Sequence, residues 1–374
     1  MQDQQLAKCV PGFEEERSYS QSPETGRSIG FCRGSSDDGA THGAYRRDWT
    51  IVVVLVDRHG YSHIGVSVRT LGDDTPPVVF IPPASGSRHC LTINYGGQNR
   101  ICVIHVPPCY DGVTPLPVVV ALHGVGGDAA SFLDETNWAA CANQNGFIVM
   151  APEGLPFRAP MPAASLANPR VWNSGQYPSL YPHSRIDDSG FIVAALDDIS
   201  ARWRVDSRRV YASGYSNGGA MVFRLAAEHG DRFTAIASFS GRCWLSDPRP
   251  CRALPTLFVI GTLDPILPIH GGLKVLPWEI QPSRPVRTVM AEWASAVGCP
   301  TTPHSAGQVP GYHVNVEDYG PGQSGSLVRV MYVRGQGHGW PGGHSLRPER
   351  LLGPDLSHFN ATGAMWEFFQ QWSW

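Results

Sequence analysis

The sequence predicts an α/β protein whose mostly parallel sheet is covered by helices on both faces. From Cys90 onward, short apolar runs alternate with longer amphipathic segments, as strands and helices do in such folds. The run Val118–Leu122 is apolar throughout, which is typical of a strand buried on both faces. A third observation is that Gly214–Gly218 fits the pattern G-x-S-x-G, between a predicted strand and a predicted helix.

Composition limits the classes of protein to be considered. The chain has 374 residues, 42% hydrophobic and 16% charged, with a formal net charge of −3, so it can form a large core. We expect no nucleic-acid partner, because the chain has no excess of positive charge. We expect no membrane partner either, because no apolar run approaches the ~20 residues that a membrane-spanning helix needs. The oligomeric state is left open.

The cysteines and the first residues point to different compartments. Nine cysteines exceed the usual number for a cytosolic enzyme. Cys243 and Cys251 bracket a Pro-containing loop and are the first candidate disulfide, and Cys90 and Cys102, on either side of Gly96-Gly97, are the second. However, the first five residues lack the basic and apolar regions of a signal peptide.

Residues 1–87 differ from the rest of the chain. The first forty are polar and rich in Gly and Ser, which predicts disorder. Short strands are predicted at Trp49–Val56, Ser62–Arg69 and Pro77–Ile81. No motif lies in this part, so we interpret residues 1–87 as an extension of a domain at residues 88–374.

The elements of that domain follow from apolar runs and helical periodicity. Residues 154–184, rich in Pro, Ala, Ser and Asn, form a long loop, of a length that is usually functional or mobile. The predicted strands are Leu91–Asn94, Arg100–Val106, Val118–Leu122, Phe147–Met150, Arg209–Ser213, Phe233–Phe239, Leu257–Ile260 and Leu327–Val333. The predicted helices are one through Phe132, Trp138 and Cys141, then Asp188–Arg204, Asn217–His229, Arg284–Val297 and Thr362–Trp372.

Ser216 is the predicted nucleophile. It lies on a sharp turn from strand to helix, the position at which the G-x-S-x-G motif exposes a serine. Gly214 and Gly218 permit this turn, because a Cβ at either position would clash. The alternative is a serine that only caps an ordinary helix.

A serine hydroxyl needs a histidine to take its proton and a carboxylate to orient that histidine. In this motif's fold the chain order is serine, acid, histidine. Asp264 and His338 each follow the end of a predicted strand, in that order. We therefore predict a catalytic triad of Ser216, Asp264 and His338.

Other histidines and acids fit these roles less well. His270 follows Asp264 too closely to approach from another strand, and His344 lies deeper in a Gly-rich loop. Asp187 and Asp188 precede the serine and are interpreted as helix caps.

Backbone amides are the predicted donors to the oxyanion. One is the N–H of Asn217, and the other is the N–H of Val125 in the loop after Val118–Leu122. No H-E-x-x-H or Cys-x-x-Cys motif is present, so we expect no metal. The glycines at 124, 126 and 127 do not complete G-x-G-x-x-G, and we expect no cofactor.

Several motifs together carry a family resemblance. They are Leu122-His123-Gly124, Asp187–Phe191, Val205–Tyr211, Gly214–Met221, Gly261–Asp264 and Gly337–Gly342. With them, residues 88–374 resemble the secreted α/β-hydrolases that include polyhydroxybutyrate depolymerases and type-1 feruloyl esterases. The resemblance implies an α/β-hydrolase fold, serine esterase activity through Ser216, Asp264 and His338, secretion and disulfide bonds.

The substrate is predicted from aromatic residues near the triad. Trp172, Tyr177 and Tyr181 lie in the 154–184 loop, and Trp244 and Trp340 follow strands. With His123 and Tyr215, residues Trp172, Trp244 and Trp340 are the predicted substrate-binding residues.

The chain ends on the last predicted helix, without an appended binding module, which favours soluble or plant cell-wall esters of the feruloyl type. A hydroxyalkanoate polyester is the second candidate and a peptide the third. The alternative of another class is a non-catalytic binding protein, although such proteins usually lose a triad member.

Overall fold

The computed structural model describes residues 17–21, 28–32, 49–56, 62–69, 86–164, 167–176, 186–276, 279–322, 325–345, 347–355 and 358–374. The chain divides into two compact units, Met1–His89 and Cys90–Trp374. In the first, β1 (Arg17–Gln21) pairs with β2 (Ser28–Cys32), and β3 (Trp49–Val56) pairs with β4 (Ser62–Arg69), both antiparallel.

Two of the strands predicted in the first unit are confirmed with the predicted bounds, β3 and β4. The strand predicted at Pro77–Ile81 lies outside the described residues. Strands β1 and β2 lie within the first forty residues, and the other residues of that stretch lie outside the described ranges. Partial disorder of the extension stays a prediction. The boundary at residue 87 stays a prediction.

The other strands of the described residues belong to the large sheet or to two short antiparallel pairs. They are β5 (Ser87–Tyr95), β6 (Gln98–Val106), β7 (Leu116–Leu122), β8 (Ile148–Pro152), β9 (Leu155–Pro156), β10 (Arg170–Val171), β11 (Val205–Tyr215), β12 (Ala235–Phe239), β13 (Thr256–Gly261), β14 (Gly272–Leu276), β15 (Glu279–Ser283), β16 (His304–Gln308), β17 (Val314–Tyr319) and β18 (Val328–Val333). The two short pairs are β9–β10 and β14–β15.

The large sheet has ten strands in the order β16-β17-β18-β13-β12-β11-β7-β8-β6-β5. Strands β8, β7, β11, β12, β13 and β18 run parallel. The pairs β6–β8, β17–β18 and β16–β17 are antiparallel. The predicted mostly parallel sheet is therefore confirmed. The carboxyl ends of its parallel strands meet along one edge, which is where such folds place their sites.

Helices cover both faces of this sheet. They are α1 (Ala129–Glu135), α2 (Trp138–Asn145), α3 (Asp188–Arg202), α4 (Asn217–His229), α5 (Val286–Ala296), α6 (Glu349–Leu352) and α7 (Ala361–Phe369). One core contains Phe191, Met221 and Trp293 from α3, α4 and α5. The other contains apolar residues of α1, α2 and α7, among them Trp138 and Phe369. None of the helices in the described ranges is long and apolar enough to cross a bilayer.

Two local predictions were wrong. The single helix predicted through Phe132 and Cys141 is two helices, because Asn137 between them has a φ of 59°, a left-handed conformation that a continuing helix does not contain. The antiparallel edge formed by β16 and β17 was not predicted. Every residue of β16 is exposed, so the strand lacks the alternation by which a half-buried strand is recognised.

Neither predicted disulfide is present, because Cys102, Cys243 and Cys251 are free thiols. Cys102 packs in one core together with Leu91. Because neighbours in a strand point to opposite faces, Cys90 does not share that face. Cys251 is exposed, whereas Cys243 is partly buried, and burial raises its pKa to about 11. The two thiols at the ends of this Pro-containing loop therefore lie in different environments.

Candidate active site

Ser216 lies between the end of β11 and the start of α4. Its φ of 53° and ψ of −114° are strained for a residue with a side chain, as is common at functional sites. The Ser216 amide donates to the carbonyl of Phe239 at 2.8 Å. A Cβ at Gly214 would overlap the carbonyl of Gly218, and one at Gly218 would overlap that of Leu122. The two glycines thus permit the close packing of strand, turn and helix.

The structure brings Ser216, His338 and Asp264 into one hydrogen-bonded chain. Nε2 of His338 lies 2.9 Å from Oγ of Ser216, and Nδ1 of His338 lies 2.7 Å from Oδ2 of Asp264. An ionised carboxylate can only accept, so Nδ1 carries the proton. Nε2 is then free to accept the hydroxyl proton of Ser216.

The Asp264 carboxylate is held in place by the chain around it. Its Oδ1 accepts from the amides of Ile266 at 2.9 Å and Leu267 at 2.7 Å. Burial alone would raise the pKa of this carboxyl, but the charge and hydrogen bond of His338, with the Leu267 amide, hold the pKa below its usual value. Asp264 is therefore ionised at neutral pH and can stabilise a positive charge on His338.

Two backbone amides near Ser216 are available to an incoming oxygen. Within the described residues, neither Val125 N–H nor Asn217 N–H has an acceptor; Asn217 is the first residue of α4, where helical amides lack partners. The loop after β7 lies against the serine, since a Cβ on Gly124 would be 3.4 Å from Cβ of Ser216. This arrangement is compatible with the predicted oxyanion donors.

Described residues line two clefts at the site. One of about 210 Å³ contains Ser216, His338 and Trp244. The other, of about 390 Å³, contains Val125, Tyr215 and Trp340. The Tyr215 ring centroid lies 5.3 Å from that of His338. Tyr215, Trp244 and Trp340 thus lie where substrate contact is possible, although Trp340 is largely buried and donates to Thr362 Oγ1 at 2.9 Å.

His123 and Trp172 lie in the interior and not in the wall of either cleft. His123 Nδ1 contacts the Gly124 carbonyl at 2.7 Å, and Nε2 accepts from the Gly154 amide at 2.9 Å. Burial lowers the pKa of His123 to about 4, so the ring is neutral. The Trp172 indole donates to the His123 carbonyl at 2.9 Å. The expected substrate contacts are therefore corrected to roles in the fold, while Tyr177 and Tyr181 lie outside the described residues.

The side chain of Asn217 fixes the loop that includes Trp172. Its Oδ1 accepts from the Trp172 amide at 2.7 Å, and its Nδ2 donates to Ser174 Oγ at 2.9 Å and to Gln176 Oε1 at 3.2 Å. The side chain is fully buried. Asn217, the residue after the serine, therefore connects this loop to the start of α4.

We expect Asn217→Ala to lower the free energy of unfolding by about 1–3 kcal/mol, because the buried Trp172 amide loses its acceptor. Urea unfolding measures the loss. Asn145→Ala is the matched control, because Asn145 is exposed and bonds only within its own helix; its change should stay within about 0.5 kcal/mol. Equal effects of the two substitutions would contradict the assigned role of Asn217.

The rival residues lie in other environments. Asp187 caps α3 by accepting from the Gly190 amide at 2.8 Å, as predicted. Asp188 is buried in an ion pair with Arg100 at 2.7 Å. His344 lines the larger cleft with Tyr215, whereas His270 lies in the turn before β14.

Sequence reasoning missed Arg242 and Gln176, which both line the smaller cleft. The available signal was the position of Arg242 three residues after β12, at the carboxyl end of a parallel strand. Within the described ranges, no three His, Cys, Asp or Glu side chains converge as a metal site would require. The absence of a metal stays a prediction.

Comparison with known proteins supports the fold and the class of enzyme. The Phospholipase/Carboxylesterase family matches residues 112–277, a range that includes Ser216 and Asp264. The chain has the α/β-hydrolase fold, and the proteins to which it is similar are esterases. An acetyl xylan esterase from Aspergillus awamori has the same fold, with a TM-score of 0.51 at 16% identity over 76% of this chain and 99% of that one.

Two relatives by sequence also have names that include an esterase. NocK of Nocardia uniformis subsp. tsuyamanensis, provisionally named an esterase, is 29% identical over 71% of this chain and 78% of its own length. Feruloyl esterase B of Piromyces equi is 26% identical over 64% of this chain. The match spans only 42% of that fungal protein. The resemblance to polyhydroxybutyrate depolymerases stays a prediction.

Proposed function

We propose that this carboxylic ester hydrolase acts by acyl transfer through Ser216, with His338 as general base and Asp264 as its orienting carboxylate. The observation that carries the proposal is the chain of hydrogen bonds from Ser216 Oγ through both nitrogens of His338 to Asp264, at 2.9 and 2.7 Å. A serine is activated in this way when its base is itself oriented by a third group.

The reaction would proceed in two steps, acylation of Ser216 and hydrolysis of the acyl-serine. Ser216 Oγ attacks the ester carbonyl carbon while His338 Nε2 takes the hydroxyl proton, and the imidazolium then returns that proton to the departing alcohol. Water attacks the acyl-serine in the same way and releases the acid. In both steps the amides of Val125 and Asn217 would donate to the oxyanion.

For the substrate we propose a feruloyl-type ester, meaning an aromatic acid joined to a soluble or cell-wall alcohol. Two observations support this class. Trp244 lines the cleft that contains Ser216, and relatives of this chain are named feruloyl esterases. The second candidate remains a hydroxyalkanoate polyester, and it rests on the resemblance alone.

Parallel assays on p-nitrophenyl butyrate, methyl ferulate, acetylated xylan and amorphous polyhydroxybutyrate test the proposal. We expect turnover of the p-nitrophenyl ester, with methyl ferulate preferred among the other three. Preference for the polymer would favour the polyester alternative. Absence of turnover on all four would favour a non-catalytic binding protein.

By the resemblance to secreted hydrolases we also propose an extracellular location. Fractionation of the source culture tests it: activity that is retained inside the cells would contradict it.

A further inference from the structure

Arg242 is a buried cation beside the candidate nucleophile. It follows β12 in a loop that packs against the serine, because a Cβ on the preceding Gly241 would overlap the Ser216 carbonyl. Arg242 is only 3% exposed, yet it lines the same cleft as Ser216 and His338. Burial lowers the pKa of its guanidinium to about 10, which leaves it charged at neutral pH.

One edge of this guanidinium has no partner. Nη1 donates to the Arg284 carbonyl, whereas Nε and Nη2 are buried without an acceptor in the described part of the chain. Nε and Nη2 form one side of the planar fork, with parallel N–H groups that match the two oxygens of a carboxylate. The bond from Nη1 fixes the orientation of that free edge.

Acidic side chains nearby do not neutralise the charge of Arg242. Among the described residues, it makes no ion pair within 4.0 Å. Asp264 is close enough to act on it through space, but the oxygens of Asp264 are engaged by His338 and by the amides of Ile266 and Leu267. A buried charge without a partner is costly. A ligand anion would offset that cost.

We propose that Arg242 binds a carboxylate carried by the ester substrate, through Nε and Nη2, and so makes the enzyme selective for anionic esters. The inference rests on the proposed function, since it takes the Ser216 cleft as the substrate site. Beside Ser216 and Arg242, the cleft that would hold the anion is lined by Gln176, Trp244 and His338.

Matched ester pairs test this proposal and locate the carboxylate. On the acyl side, p-nitrophenyl hemisuccinate is compared with p-nitrophenyl methyl succinate. On the alcohol side, m-carboxyphenyl acetate is compared with its methyl ester. In one pair we expect kcat/KM for the anionic ester to exceed that of the neutral ester by roughly 10- to 100-fold, the range of a charged hydrogen-bonded contact. A ratio of one or less in both pairs would overturn the proposal.

Variants then assign the preference to the guanidinium. Arg242→Met, which removes the charge but keeps much of the stem, should bring the ratio close to one. Arg242→Lys should retain part of it, because lysine keeps the charge without the planar fork. Arg249→Met is the matched control: Arg249 lies in the same loop, is exposed and pairs with Asp247, so the ratio should stay that of the wild type. An unchanged ratio in Arg242→Met would also overturn the proposal.

The measurement on the wild type holds even if Arg242→Met does not fold. It also separates this proposal from the proposed function. Turnover of the neutral esters without anionic preference contradicts only the role of Arg242. Loss of turnover on every ester contradicts the proposed function itself.

Discussion

Ser216→Ala should lower kcat on a p-nitrophenyl ester by ~10⁴- to 10⁶-fold while the fold is retained, because the nucleophile is removed from a group of residues that act together. Steady-state kinetics on p-nitrophenyl butyrate measure the loss. A fluorophosphonate should label the wild type at Ser216, identified by mass spectrometry of the modified peptide, and should not label the variant.

Ser213→Ala provides the matched control for this change. Ser213 is buried in β11, the strand that precedes Ser216, and its hydroxyl contacts the Met365 sulfur at 3.3 Å. Its alanine variant should keep kcat within a few-fold. If Ser216→Ala retained a tenth of the wild-type activity, Ser216 would not be the nucleophile.

His338→Ala should lower kcat by at least as large a factor as Ser216→Ala. The variant that carries both substitutions should have a kcat only slightly lower than either single variant. The residues are expected to act as one unit, so their losses do not add. Asp264→Asn should lower kcat on the order of 10⁴-fold, by analogy with serine proteases, because an amide facing Nδ1 favours the wrong tautomer. Kinetics on the same ester compare all these variants.

The role of His338 as general base also predicts the direction in which activity changes with pH. His338 can accept the serine proton only when its ring is neutral, so activity should rise with pH as the imidazole loses its proton. Asp264 should add no step between about pH 5 and 9, because its pKa is already held below the usual ~3.9. Its ionised form stabilises the fold above the unfolded pKa, and that contribution is lost as pH falls through the lower folded value.

His344→Ala and His270→Ala are the controls for the histidine assignment. Both histidines follow Ser216 in the chain, but the Ser216 hydroxyl contacts Nε2 of His338. Both variants should keep the rise of activity with pH. Loss of activity in either, together with a wild-type profile in His338→Ala, would reassign the base.

Much of the fold and of the candidate site could be predicted from local sequence. The turn at Ser216 required glycines at 214 and 218, a strand before it and a helix after it, and all of these are readable within a few residues. Asp264 and His338 were found because each follows a strand. Parallel strands end at one edge of a sheet, so residues just past those ends can meet although they are distant in sequence.

The tertiary structure decided what surrounds each side chain. Strand β11 lies between β7 and β12, and this order brings the loops around Gly124 and Arg242 to the serine. Sequence pattern did not distinguish His123, whose ring nitrogens are both engaged in the interior, from a residue that faces substrate. Nor did it reveal the unpartnered edge of Arg242. Burial and hydrogen-bond partners depend on which distant segments pack together, and that information is not contained in local periodicity or spacing.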